Sequence, residues 1–176
     1  MAVEIIFETH SVSEDNERGI ATGWLPGRLS DRGRSLARDL GARRRDDGLA
    51  TVFTSDLARA VETTAIAFAG TDLPICQDQR LRECDYGTLN GVPVEQLMPR
   101  ARFITAPFPG GESYRDVIDR VRTFVGDLAP YDGGRVLIIG HSATRWALEH
   151  LLVGTALEEL VDAPFAWQAG WVYHTK

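Results

Sequence analysis

Residues Arg135 to Leu152 read RVLIIGHSATRWALEHLL. The aliphatic run Val136 to Ile139 suits a strand buried on both faces. A helix is expected from about Ala143 to Leu152, and His141 stands between the two. The same arrangement opens the chain. Val3 to Glu8 is short and β-branched, reads as a first strand, and leads through Thr9 into His10. Small and polar residues follow, through Ser11, Ser13 and Asn16.

Working outward from these two junctions, the rest of the chain alternates in the same way. Ser11 to Leu29 is rich in Gly, Ser, Asn and Pro and reads as a loop. Ser30 is an N-cap candidate for a helix carrying Leu36 and Leu40 on one face, with Gly41 a kink or weak point. Leu49 to Thr54 reads as a second strand, and Ser55 or Asp56 as the cap of a helix through Leu57, Val61 and Ala65. Leu73 to Cys76 is a further short strand. Arg80 to Gly111 is irregular, punctuated by Pro93, Pro99, Pro107 and Pro109, and is expected to be a lid or substrate-facing insertion. Ser113 caps a helix to about Leu128, with Val117, Val121 and Phe124 on one side. Strands alternating with helices predict one α/β domain over residues 1–176 with a largely parallel sheet. Sites in such sheets gather at the carboxyl ends of strands, where His10, Ser55 and His141 all fall.

Bulk properties narrow the function. The chain has 176 residues, is 44% apolar and 25% charged, and carries a net charge of -6. That balance argues against general nucleic-acid binding, which favours a basic surface. It allows a small anionic substrate in a locally basic cleft. No apolar run approaches the roughly 18 residues of a membrane helix, and no signal peptide is seen. Cys76 and Cys84 form no metal-type pair and no disulfide framework, which fits free thiols in a reducing, cytoplasmic setting. The histidines lack zinc-site spacing, so no metal and no cofactor is expected.

Each remaining site candidate has a bland reading by itself. Arg59, one turn into the helix after TSDLARA, could be a solvated surface arginine; Glu83, in RLRECDYGTLNG, could be an ordinary exposed glutamate. Together with His10 and His141 they form an ordered set. His10 is followed at a fixed spacing by Asn16, then by Gly23-Trp24, Leu29-Ser30 and Arg32-Gly33. Ser55, Leu57, Arg59 and Ala60 come next, then LRECDYG from Leu81 to Gly87, Gly111-Glu112-Ser113, and VLIIGHS. In this order the whole chain resembles the histidine phosphatase superfamily. The resemblance implies the phosphoglycerate-mutase-like fold, a three-layer α/β/α arrangement of a largely parallel sheet flanked by helices.

The resemblance further implies a metal-independent phosphohydrolase for a small phosphate ester. His10 would form a phosphohistidine, while Arg59, His141 and Asn16 bind phosphoryl oxygens. Glu83 would protonate the leaving oxygen and then help activate water. Thr22 and Gly23 match substrate-contacting positions of the mutase branch. Ser142, which follows His141, would border the substrate. A homodimer is compatible with this reading.

Three residues depart from the family pattern. Thr9 replaces its first arginine, and Ser11 and Ser142 replace glycines. Thr9 cannot supply a bidentate cation. Either Arg18 or Arg28 folds back to replace it, or the protein is a weak phosphatase or a non-catalytic phospho-ligand binder. Two lesser alternatives stand. A phosphoglycerate-type mutase would need larger insertions than the short stretch from Glu83 to Gly111 offers. A serine hydrolase is suggested by GHSAT, Gly140 to Thr144, with Asp162 and His174 following Ser142 in the order of that class. It leaves His10, Arg59 and Glu83 unexplained. The aromatic residues Phe165, Trp167, Trp171 and Tyr173 either shape specificity or, as preferred here, cover the core.

Overall fold

The alternation of VLII sorts into two faces. In the computed structural model, which describes residues 1–176, Val136 and Ile138 pack into one hydrophobic core and Leu137 and Ile139 into another. Successive strand side chains point to opposite faces, so a strand with no polar residue needs cover on both sides. The first strand repeats the pattern: Ile5 and Phe7 join the first core, Ile6 the second. Each such side chain contributes about 1.5–3 kcal/mol on burial.

The elements in chain order are β1 (Glu4–Thr9), α1 (Glu14–Arg18), β2 (Ile20–Ala21), α2 (Asp31–Arg44), β3 (Thr51–Thr54), α3 (Ala58–Ala67), β4 (Ile75–Gln77), β5 (Val92–Pro93), α4 (Tyr114–Gly126), β6 (Arg135–Gly140), α5 (Ser142–Leu148), α6 (Leu157–Leu160) and β7 (Trp171–His174). The main sheet has the order β4-β3-β6-β1-β7. Its first four strands are parallel, and β7 runs antiparallel to β1 at the edge. Residues of α4 and α5 fill one core, and residues of α2 and α3 the other. This is the expected three-layer, largely parallel arrangement.

Local chemistry explains most boundaries. Ser30 Oγ accepts from the Gly33 amide at 3.0 Å, and Ser113 forms a capping box with Asp116. Gly41 is neither a kink nor a weak point. A Cβ there would lie 2.2 Å from the Ala67 carbonyl oxygen, so glycine lets α2 lie directly on α3.

Other expectations need correction. Neither Ser55 nor Asp56 caps α3; Leu57 is its N-cap and uses no side-chain bond. The Ser11–Leu29 stretch contains α1, opened by a Ser13–Asn16 capping box, and β2, which pairs with β5. α5 is shorter than the expected helix to Leu152, and the chain continues from Glu149 to Val153 as a π turn. The aromatic C-terminal stretch divides. Tyr173 is buried in β7 and Trp171 packs against the core, whereas Phe165 and Trp167 are 60% and 61% exposed.

Candidate active site

Three neighbouring strands of the sheet, β3, β6 and β1, end at one place. Thr9 lies opposite Gly140 in the parallel register, and the His10 amide donates to the Gly140 carbonyl at 2.9 Å. Ser55 leaves β3 with its amide on the Ile139 carbonyl at 3.1 Å. The two imidazoles therefore meet, with ring centroids 5.0 Å apart. They lie at the floor of a cavity of about 1040 Å³. The cavity collects the residues that the phosphatase resemblance singles out: His10, Asn16, Thr22, Gly23, Arg59, Glu83, His141 and Ser142.

Hydrogen bonding sets the state of His10. Its Nδ1 lies 2.7 Å from the Ser11 carbonyl oxygen, which can only accept, so Nδ1 carries the proton. Nε2 is left with a free lone pair. Burial, and next the charge of Arg59, lower the pKa of His10 to about 3, against the opposing pull of the Ser11 bond. The imidazole is neutral and nucleophilic throughout the physiological range. His141 is held neutral by burial first and then by Arg59 and His10. Its Nε2 meets Ser55 Oγ at 2.9 Å, while its Nδ1 is buried without a partner.

Arg59 and Glu83 are both buried, contrary to their bland readings. Arg59 donates to the Gly23 carbonyl at 2.8 Å and the Leu25 carbonyl at 3.1 Å. These partners are neutral, so its charge remains available to an anion. Glu83 accepts from the amides of Cys84 at 2.8 Å and Ala143 at 3.3 Å. Burial pushes its carboxyl above the usual range, against those amides and the charges of Arg59 and Arg100. The Glu83 backbone is pinned by Trp24 Nε1 at 2.7 Å and Arg120 Nη2 at 2.9 Å, both donating to its carbonyl.

The family model described as the histidine phosphatase superfamily (branch 1) matches residues 5–171. The chain belongs to that superfamily. It is 32% identical over 173 residues to a 2,3-bisphosphoglycerate-dependent phosphoglycerate mutase of Methylobacterium sp. (strain 4-46), covering 89% of this chain and 83% of the relative. Among solved structures, Bacillus stearothermophilus YhfR aligns with a TM-score of 0.84 at 28% identity, over 97% of this chain and 90% of that one. A mycobacterial glucosyl-3-phosphoglycerate phosphatase aligns with a TM-score of 0.78 at 27% identity, over 91% and 84%. Superfamily members among these neighbours are thus phosphatases and mutases.

Within this superfamily frame the departures have a local account. Ser11 is accommodated by donating to the Gly33 carbonyl at 2.5 Å. Thr9 lines the cavity and offers no charge. Neither loop arginine replaces it, which corrects one expectation. Arg18 pairs with Asp15 and is 67% exposed; Arg28 pairs with Glu14 and is 72% exposed. Neither lines the cavity. Thr9→Arg is therefore expected to raise kcat/KM for simple phosphate esters by up to about 10²–10³, the worth of one well-placed electrostatic stabiliser. Steady-state kinetics checks this, and an unchanged rate in a folded variant would point to a binding protein instead.

The serine-hydrolase alternative fails on geometry. His174 sits opposite Glu4, at the far end of β1 from His10, and Asp162 accepts from the Arg100 and Ala101 amides. Sequence reasoning missed four arginines. Arg120 braces the segment carrying Glu83, and Arg43, Arg100 and Arg145 line the cavity. Arg100 lies in the irregular stretch and Arg145 in a helix, and neither carries a motif.

Proposed function

We propose that the chain hydrolyses a small phosphate ester through a phosphohistidine at His10. The observation that carries this reading is the neutral His10 ring, with Nδ1 engaged by Ser11 and Nε2 free beside the uncompensated Arg59. Nε2 attacks phosphorus and the bond to the ester oxygen breaks. Arg59 and His141, with Asn16 at the rim, offset the charge on the phosphoryl oxygens. Glu83, whose carboxyl burial pushes above the usual range, gives its proton to the departing oxygen. As a carboxylate it then takes a proton from the water that attacks the phosphohistidine, releasing phosphate and restoring His10.

Hydrolysis is favoured over mutase chemistry by the short path between Glu83 and Ser113, which holds only 3₁₀ turns and β5. The test incubates the purified protein with a panel of phosphate esters and an isotopically labelled donor, followed by acid quench. Release of inorganic phosphate with an acid-labile label on the protein is expected. Transfer to an added hydroxy acid in preference to water would favour the mutase reading, and neither turnover nor label would refute both.

A further inference from the structure

Phosphoryl transfer occupies only the floor of the cavity, and a phosphoryl group fills a small part of its roughly 1040 Å³. The rest serves whatever the phosphate is attached to. Its outer wall is the segment 163–170, which joins α6 to β7 and places Phe165 and Trp167 at the opening. This segment is tied along its length. At its start the Asp162 carboxylate accepts from the Arg100 amide at 2.6 Å and the Ala101 amide at 3.0 Å. In the middle the Arg43 guanidinium lies 5.6 Å from the Trp167 ring centroid. Near the end Arg44 Nη2 donates to the Ala169 carbonyl at 2.9 Å. Arg43 and Arg44 are fixed in turn by the buried carboxylate of Glu8, at 2.9–3.0 Å. Two aromatic rings held at the mouth of a site by a pinned backbone form a preorganised apolar surface.

Two guanidinium groups frame the same segment. The Arg100 backbone amide is at the Asp162 latch, with its side chain reaching Met98, and Arg145 lies with its Cζ 4.9 Å from the ring of Trp171, where the segment enters β7. Both line the cavity. Each has a buried Nε without an acceptor, and neither pairs with a carboxylate. Arg100 reaches only the thioether of Met98, a weak acceptor. The cavity's acids do not compensate them. Asp162 is engaged by backbone amides, Glu83 faces the phosphoryl end, and Asp39 and Glu95 pair with neither. Buried N–H donors find partners in nearly all folded proteins. Arg145 has the Tyr173 side chain beside it, but neither arginine has a carboxylate partner, so two uncompensated positive charges line one cavity and are open to an anion.

We propose that the leaving group of the substrate is a ring-bearing acid, its flat body against Phe165 and Trp167 and its second anionic group on Arg100 and Arg145. The assignment rests on the reading that His10 receives the phosphoryl group. A carboxylate and a phosphate share the chemistry these donors select, and the test separates them. Calorimetry on the intact protein compares methylphosphonate, benzylphosphonate, para-carboxybenzylphosphonate and the corresponding para-bisphosphonate, none of which can be hydrolysed. Affinity is expected to rise from methyl to benzyl and again on adding the anion, with the tighter of the last two naming the anion. Trp167→Ala, with Phe165→Ala as a second variant, should shrink the gain from the ring. Arg100→Met and Arg145→Met should each shrink the gain from the anion roughly tenfold or more. Equal binding of the benzyl and carboxybenzyl compounds, or equal weakening of all four by the arginine variants, would overturn the proposal. Because binding needs no turnover, the expected pattern without ester hydrolysis would sink the phosphatase reading and leave this subsite standing. Hydrolysis without the pattern would do the reverse.

Discussion

His10→Ala is expected to lower phosphate-ester hydrolysis by roughly 10⁵–10⁶, the scale of loss when a covalent catalyst is deprived of its nucleophile. The substitution removes the free Nε2, and no neighbour can take its place. His141 has its own Nε2 on Ser55, and its Nδ1 is buried. The structural cost is small. The His10 side chain makes one hydrogen bond, to the adjacent Ser11 carbonyl, and the backbone bond from its amide to Gly140 is untouched. A folded but inactive variant is the expected product. Acid-quench labelling decides the matter: the wild-type protein should carry acid-labile phosphate and the variant none. Label surviving in His10→Ala would move the nucleophile elsewhere.

Glu83→Gln is expected to slow esters with poor leaving groups by about 10²–10⁴, the usual worth of a positioned proton donor. Esters with good leaving groups should suffer far less in the cleavage step, because their oxygen departs without a proton. Glutamine keeps an acceptor oxygen for the Cys84 and Ala143 amides, so the comparison isolates the proton. The wild-type pH profile follows from the same group. Cleavage of poor leaving groups needs protonated Glu83. Its rate should fall as pH rises through a pKa that burial has raised above the usual carboxyl range. No histidine limb is expected near 6.5, since burial and Arg59 hold both imidazoles neutral well below that. Equal slowing across leaving groups, or a limb near 6.5, would remove Glu83 from this role.

The parts of the fold that the sequence announces are those whose local rule and tertiary role agree. VLII and the IIF run of β1 read as strands because strand segments covered on both faces are continuously apolar. Ser30 and Ser113 read as caps because their bonds are local. The site was legible for a related reason: His10 and His141 each directly follow such a strand, and the parallel register alone brings them together. What stayed hidden depends on distant partners. Leu57 starts α3 without a side-chain cap because Ser55 Oγ is engaged elsewhere, accepting from the Leu57 amide and meeting His141. The two residues of β2 exist only by pairing with β5 from the irregular stretch. Arg120 points its guanidinium at three backbone carbonyls of the 80–83 turn, an arrangement no spacing rule encodes. Of the four late aromatics, two entered the core and two did not, because the dividing event is the edge pairing of β7.

That edge strand also governs how the molecule behaves among its own kind. β1 carries Ile5, Ile6 and Phe7 in a row, and one of its two flanks is occupied only by the antiparallel ladder from Trp171 to Glu4's partner His174. Stripped of β7, this apolar strand would present an unsatisfied row of N–H and C=O groups, the template on which copies of a chain stack into aggregates. β7 is itself the new border, yet it is four residues long and alternates outward-facing Val172 and His174 with inward-facing Trp171 and Tyr173. A short border strand with a polar end is a poor template. The strand that leads into His10 is thus shielded from edge-to-edge pairing by a segment that lies outside the cavity.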